Sequence, residues 1–342
     1  MIIVAILAIA IAFAFTFTNG FQDSSAIAAT FIASRSATPR KGILFIAGVG
    51  FLGAVFSGSA VALTLAHLVT IPSQDRLLVV LLSALLGATG WNIITAKYGL
   101  PSSSTHAIIG GLIGAGVAAG GLGSVLWGVA ELFTPPHRLT GLVLILLFLF
   151  ASILIGLGGG YLLHTCMRLV LQNAQRKITR VVVFANWIAA GTMAFANGAN
   201  DVQKQLGIIA LIFVAAGWQS VPEAPFSVRI ICALLLALGT MGGGWRIMHT
   251  LGHRIFRISP IHSLDSQISA GMVINLATFA GAPVSSTHII STSVIGVGAA
   301  ENPKKMQWSV GKDIVIAMVF TIPATVVFTA GIYLIIATLI GV

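Results

Sequence analysis

The feature that most limits what this chain can fold into is where it keeps its charges. Apolar runs with almost no ionisable residue recur from Met1 to Val342, each near the ~20 residues that cross a bilayer as helix. Charged residues make up 8% of the sequence and hydrophobic ones 57%, whereas a soluble domain carries about a quarter charged residues. The pattern predicts an all-α polytopic membrane protein. Eighteen basic against eight acidic residues give a net charge of +10. The basic residues sit in short loops between apolar runs, so they read as topology determinants and not as a nucleic-acid-binding face. Cys166 and Cys232 lack metal-ligand spacing and are expected to be free, buried thiols.

Two ionisable residues interrupt this background. The stretch Phe195-Ala196-Asn197-Gly198-Ala199-Asn200-Asp201-Val202-Gln203-Lys204 sets Asp201 and Lys204 between the apolar segments Ile188 to Ala196 and Leu206 to Ala216. A charge inside a membrane is costly and by default marks a substrate or ion path. Gly198 and the two asparagines are poor helix residues, so the stretch predicts a helix broken inside the membrane. Near the start, Phe17-Thr18-Asn19-Gly20-Phe21-Gln22-Asp23 echoes it. The segment Ile2 to Phe17 lacks the basic start of a signal peptide and is expected to belong to the mature chain.

A second motif is also duplicated. Gly99-Leu100-Pro101-Ser102-Ser103-Ser104-Thr105-His106 precedes the apolar helix Ala107 to Ala119, with a glycine stop and a proline suited to a first helical turn. Its echo, Gly281-Ala282-Pro283-Val284-Ser285-Ser286-Thr287-His288, precedes Ile289 to Ala299. The two motifs recur in the same order, with 82 positions from Asn19 to Pro101 and 86 from Asn197 to Pro283. The chain thus divides into a first membrane repeat at 1–167, a basic cytoplasmic linker at 168–180 and a second repeat at 181–342. Further spans are expected at Gly42 to Val69, Leu77 to Ala96, Leu139 to Leu163 and Ile314 to Ile340. Basic clusters at Arg35 to Lys41, Arg168 to Arg180, Arg246 to Arg257 and Lys304 to Lys312 should all face the cytoplasm. Five crossings per half, about ten in all, satisfy every cluster and place both termini outside. An odd number per half inserts the second repeat upside down, giving two inverted-topology repeats with discontinuous or re-entrant helices.

These residue types suit an anion and a cation together. A half-helix beginning inside the membrane leaves backbone N–H groups unpartnered and points its positive dipole end at the gap. Ser103, Ser104 and Thr105, with Ser285, Ser286 and Thr287, add hydroxyl donors that hold a tetrahedral anion without an arginine's grip. The bland alternative is ordinary helix capping. Two carboxylates, one lysine and an anion of charge about −1 to −2 leave roughly −2 to −3, so something positive must accompany the anion. Either sodium binds at Asp23 and Asp201, helped by Asn19, Asn197, Asn200 and exposed carbonyls, or the aspartates carry protons. Lys204 shares a helix face with Asp201. It either pairs with that carboxylate, lies beside the anion, or fills a place that sodium would otherwise take. His106 and His288 follow the hydroxyl runs as second-shell hydrogen-bonding groups, with proton relay as the alternative. Gln22, Gln203, Gln205, Asn92 and Asn275 are expected to join helices by hydrogen bonds. An intramembrane hydrolase built on Ser104 or Ser286 with a nearby histidine is the rival from another class. Residues two apart on a helix point away from each other, and no G-x-S-x-G elbow is present. No enzyme is expected.

At these motifs the sequence resembles the PiT family of inorganic phosphate transporters, which carries a Gly-Ala-Asn-Asp-type stretch and a Pro-x-Ser-Ser/Thr-Thr-His stretch in each half. The resemblance runs from about Asn19 to Gly298. It implies low-affinity uptake of inorganic phosphate by proton- or sodium-coupled symport with alternating access, in the inner (plasma) membrane, often as a homodimer, with no cofactor beyond the coupling ion. Carried over, it makes Asn19, Asp23, Asn197, Asn200 and Asp201 ion and substrate residues and the six hydroxyls phosphate ligands. The chain departs from the family at Gln22, where asparagine is usual. At Lys204 it is similar to a short bacterial branch that often travels with a PhoU-like protein. A sulfate permease of the same family is the nearer alternative.

Overall fold

The protein is described by a computed structural model covering residues 1–174 and 178–342. Residues 175–177, inside the expected linker, lie outside the described residues. The chain forms α1 (Ile2–Ala33), α2 (Pro39–Phe56), α3 (Ala60–Ala66), α4 (Gln74–Tyr98), α5 (Ser104–Gly120), the short α6 (Val129–Phe133) and α7 (Gly141–Leu171). It continues with α8 (Ile178–Ala215), α9 (Phe226–Gly242), α10 (Trp245–His249, prolonged by a π-helical turn), α11 (Pro260–Phe279), α12 (Ser286–Glu301) and α13 (Trp308–Ile340). Among the described residues six helices, α1, α2, α4, α7, α8 and α13, are long and apolar enough to cross a membrane, and α9 with α10 makes a seventh if that pair, bent by 59°, counts as one span.

Two motif expectations change. Neither α1 nor α8 breaks at its asparagine-glycine stretch, and both run through it as continuous helix. The glycines are there for packing. A Cβ on Gly20 would lie 2.2 Å from the carbonyl oxygen of Leu236 in α9, and one on Gly198 would lie 2.1 Å from that of Gly50 in α2. Between apolar helices in lipid, association rests on such close backbone approach, and here it outweighs the intrinsic cost of a helical glycine, about 1 kcal/mol. The second change is at the prolines. α5 and α12 begin at Ser104 and Ser286, so Pro101 and Pro283 precede the first turn instead of forming it. The expected glycine stops hold, since Gly99 and Gly281 end α4 and α11 near φ 68° and 69°, a left-handed backbone that favours glycine. The span expected at Gly42 to Val69 is split, because the chain leaves helix at Ser57 and re-enters it as α3.

Apolar packing gathers into two main clusters. One holds Ala5 to Phe15, Leu78 to Ala88, Ala107 to Ala115, Val202 to Ile212 and Leu236. The other holds Ala26 to Phe31, Ala190 to Ala196, Ala270 to Ala277, Ile289 to Ile295 and Val310 to Met318. α1 begins in the first cluster and ends in the second, whereas α8 does the reverse. α4 and α5 both lie against the first cluster, and α11 and α12 both against the second. Each of these pairs is thus a helical hairpin packed on one cluster. Both motif stretches of α1 and α8 fall where one cluster gives way to the other.

The halves are interleaved. α9 packs on α1 while α2 packs on α8, α13 packs on α4 and α5, and α7 packs on α11 and α12. α3 rests on α8 and α10 on α1. Each half thus completes the packing of the other. Asn186 Nδ2 donates to Ser36 Oγ at 2.8 Å and to the Pro260 carbonyl at 3.2 Å. The Gln307 N–H donates to the Ile255 carbonyl at 3.0 Å, and Arg168 donates to that of Ala300 at 2.9 Å. These contacts gather Ser36, Arg168, Ile255 and Gln307, one residue from each basic cluster, towards one end of the molecule. Cys232 is buried, but Cys166 is exposed on α7, so only one of the two thiols sits where the sequence reading put it.

Candidate functional site

Between the two apolar clusters lies a buried polar layer. The two motif stretches reach it on α1 and α8, and the two hydroxyl runs reach it at the turns of the α4–α5 and α11–α12 hairpins. Asn19, Asp23, Asn197, Asn200, Asp201 and Lys204, the six hydroxyl residues and both motif histidines are each no more than 5% exposed. Residues from positions 19 to 288 are thus assembled in one place.

The first serine of each run is a cap. Ser103 Oγ accepts the His106 N–H at 3.1 Å and Ser285 Oγ accepts the His288 N–H at 3.3 Å, each satisfying an otherwise unpartnered donor of α5 or α12. For these two the capping alternative describes what the hydroxyl does. The next residues point to the carboxylates. Ser104 Oγ donates to Asp23 Oδ2 at 2.5 Å, and Thr287 Oγ1 donates to Asp23 Oδ1. Asp23 is therefore held by a hydroxyl from its own half and one from the other half.

Asp201 is the counterpart of Asp23 but has different neighbours. Lys204 Nζ lies 2.6 Å from Asp201 Oδ1. The angle there is poor for a hydrogen bond, so Asp201 has no hydrogen-bonded oxygen among the described residues, and we read the contact as an ion pair. The same ammonium donates to Thr105 Oγ1 at 2.7 Å and to the Val284 carbonyl at 3.2 Å. The Thr105 hydroxyl in turn donates to the Val284 carbonyl at 3.0 Å. Ser286 Oγ, the counterpart of Ser104 Oγ, is buried without a partner among the described residues. Lys204 is 1% exposed, and a buried ammonium of this kind is tolerated only when paired.

The asparagines divide by role. Asn200 Nδ2 donates to Thr278 Oγ1 at 2.9 Å and to the Ala282 carbonyl at 3.3 Å, tying α8 to the α11–α12 turn. Gln22, at the equivalent place in α1, donates to Thr95 Oγ1 at 3.2 Å and to the Ser102 carbonyl at 3.1 Å. The departure from asparagine at position 22 keeps that tie. Both side-chain polar atoms of Asn19, and Oδ1 of Asn197, are buried without partners among the described residues. The rings of His106 and His288 lie against each other at 4.6 Å, and Nδ1 of His106 and both nitrogens of His288 have no hydrogen-bond partner among the described residues. Of the other polar residues, Gln203 Oε1 accepts the Val61 N–H of α3 at 2.9 Å and Asn92 donates to Thr18 at 3.4 Å. Asn275 bonds only within α11.

Sequence reading missed one group of titratable side chains. At the basic end, His164 Nδ1 lies 2.7 Å from Asp265 Oδ2 and its Nε2 lies 3.1 Å from Glu301 Oε2, tying α7 to α11 and α12. His164 stands 101 positions from Asp265 and 137 from Glu301, and none of the three belongs to a duplicated motif, so no spacing signal could have grouped them.

The chain matches the model of the phosphate transporter family over residues 19–329. It is 34% identical to a probable low-affinity inorganic phosphate transporter of Bacillus subtilis (strain 168), over 98% of each chain. It is also 34% identical to one of the same description from Rhizobium meliloti (strain 1021), over 92% of this chain and 91% of that one. A solved structure described as the sodium-dependent phosphate transporter shares its fold, with a TM-score of 0.79 over 98% of this chain and 99% of that chain, at 24% identity. These relatives are transporters and not enzymes, which sets aside the hydrolase reading. The apolar helices make the chain a multi-pass membrane protein. With both duplicated motif pairs inside the matched region, the chain belongs to the phosphate transporter family.

Proposed function

We propose that this protein imports inorganic phosphate across the inner membrane in symport with a cation, by alternating access between two inverted repeats. The observation that carries the reading is the assembly of two carboxylates, one ammonium and the hydroxyls of two facing hairpin turns in a buried layer between two apolar clusters. Phosphate sits at the N-termini of α5 and α12, where helix-terminal N–H groups and the free hydroxyl of Ser286 favour an oxyanion, beside the engaged hydroxyls of Ser104, Thr105 and Thr287. Two aspartates and one lysine already leave the layer at −1, so phosphate requires an accompanying proton or sodium ion. Asp23, which has no basic neighbour in its own half, with the unpartnered Asn19 one helical turn before it, is the carboxylate that receives this cation. Backbone carbonyls for the cation come from the hairpin turns, because those of α1 and α8 are engaged in continuous helix.

The reversed order in which α1 and α8 meet the two apolar clusters supports inverted repeats at 1–167 and 181–342. Each half then contributes three crossings and one re-entrant hairpin, six crossings in all, and the basic end faces the cytoplasm. The short helices α3 and α10 close the layer on opposite faces. α3 is held by Gln203 and by Thr64 donating to the Gly281 carbonyl at 2.8 Å. α10 and its π turn are held by the Gly244 N–H on Ser25 Oγ at 2.9 Å and by Thr250 on the Gly99 carbonyl at 3.1 Å. Releasing one set while the other stays closed gives access from one side at a time.

The test is uptake of labelled phosphate into proteoliposomes with proton and sodium gradients imposed separately. Accumulation above equilibrium under either gradient is expected, and its absence under both overturns the proposal. Removal of that uptake by an equal concentration of sulfate would move the substrate assignment to sulfate.

A further inference from the structure

The polar layer contains two sets of oxygens related by the duplication. In the second set, the Asp201 carboxylate, the Thr105 hydroxyl and the Val284 carbonyl all lie within 3.2 Å of one atom, Lys204 Nζ. Position for position, the first set is the Asp23 carboxylate, the Thr287 hydroxyl and the Ser102 carbonyl, and Ala26 stands where Lys204 does in the other half. A carboxylate, a hydroxyl and a carbonyl are hard oxygen ligands of the kind that hold a monovalent metal ion. Around Lys204 they hold an ammonium instead. That ammonium arrives on an unbroken helix and remains part of the protein through the cycle.

We propose that Lys204 is a built-in replacement for a transported cation. It permanently fills one of two pseudo-equivalent cation positions, so that each cycle carries one coupling cation fewer than a site with alanine in both halves would carry. This rests on the transport reading given above. The lysine supplies the charge that lets phosphate enter the layer, but because it cannot leave, it adds nothing to the driving force. Accumulation then depends on the Asp23 side alone. The two halves differ here too: Ser286 Oγ is left without a partner among the described residues, while its counterpart Ser104 is engaged by Asp23.

The experiment compares the purified wild-type chain with Lys204→Ala, Lys204→Met and the double variant Asp201→Asn/Lys204→Ala, in sodium chloride and in choline chloride. Truncation to alanine restores the residue found in the first half and opens the oxygen set. Lys204→Ala should therefore gain a sodium-dependent rise in unfolding temperature, on the order of a few degrees, beyond any shown by the wild type. Lys204→Met, which keeps the stem in that space, should not gain it, and the double variant should lose it. In proteoliposomes, the membrane potential that halts phosphate flux should report about one more cation charge per phosphate for Lys204→Ala than for the wild type. An unchanged sodium response in Lys204→Ala, or an equal response in Lys204→Met, overturns the assignment. Should Lys204→Ala fold in neither salt, Ala26→Lys decides the matter. An ammonium in the first position should abolish accumulation under every cation gradient, and accumulation that persists overturns the proposal. Absence of phosphate flux in the wild type would sink the transport reading, while the sodium-binding comparison would still decide the role of Lys204.

Discussion

Asp23 and Asp201 occupy corresponding places on corresponding helices, yet one is held by two hydroxyls and the other by an ammonium. The scaffolding around them is alike. Each helix crosses a helix of the other half at a glycine, and each is tied to its own hairpin turn by a side-chain amide, Gln22 or Asn200. What differs is charge, −1 on one side and 0 on the other when the lysine is counted. Packing depends on many contacts and constrains both halves together, whereas the charge of a half rests on a single position, 26 or 204. A duplicated transporter can therefore keep its architecture while the electrostatics of its two halves diverge.

The largest effect should come from Asp23→Asn. It neutralises the half that has no cation of its own, so accumulation of phosphate above equilibrium should disappear. One of the two donating hydroxyls would then face an amide N–H₂, at a cost of about 1–3 kcal/mol. Labelled-phosphate uptake and chemical unfolding of the same preparation measure the two consequences. Persistent accumulation in this variant would mean that the halves do not differ in the way their charges imply.

Asp201→Asn should be the more damaging to stability. On sequence alone it reads as a clean removal of one carboxylate, but the structure places Lys204 Nζ 2.6 Å from that carboxylate. The substitution leaves a buried ammonium without its partner, which costs about 3–5 kcal/mol. Adding Lys204→Met removes the stranded charge and should recover most of the loss, the non-additivity expected of residues in direct contact. If Asp201→Asn proved no less stable than Asp23→Asn, the ion pair could not be what separates the two halves.

Why one half holds an ion pair and the other does not was half legible in the sequence. The asymmetry between Ala26 and Lys204 could be read directly, and so could the two hydroxyl runs, because duplication marks functional residues without any alignment. The glycine stops at Gly99 and Gly281 were legible from local conformational preference. The continuity of α1 and α8 was not. Local propensity argues for a break at Asn197-Gly198, and what overrides it is a helix crossing with Gly50, about 150 positions away. The oxygen set around Lys204 was hidden for the same reason, since Thr105 comes from the other half and Val284 from a hairpin turn 80 positions away. The histidines show the converse. Their place beside the hydroxyls suggested hydrogen bonds to them, but in three dimensions the two rings meet each other.

The smallest effect gives the finest test of the comparison. Ser104 and Ser286 hold the same place in their hairpins, so symmetrical halves would respond equally to their truncation. Ser104→Ala removes a hydroxyl donor 2.5 Å from a buried carboxylate, and hydrogen bonds to charged groups contribute about 1.5–3 kcal/mol. Ser286→Ala removes a buried hydroxyl with no partner, and its effect on unfolding should be close to zero or slightly stabilising. In transport the order should reverse for substrate affinity. The free hydroxyl of Ser286 is available to phosphate, so its loss should raise KM and leave the maximal rate near that of the wild type. Ser104 is already committed to Asp23, and its loss should lower the maximal accumulation instead. Equal unfolding curves for the two alanine variants would show that Asp23 and Asp201 draw the same support from their hairpins. In that case the lysine would be an addition to a symmetrical site, and the hydroxyls would not have been rearranged around it.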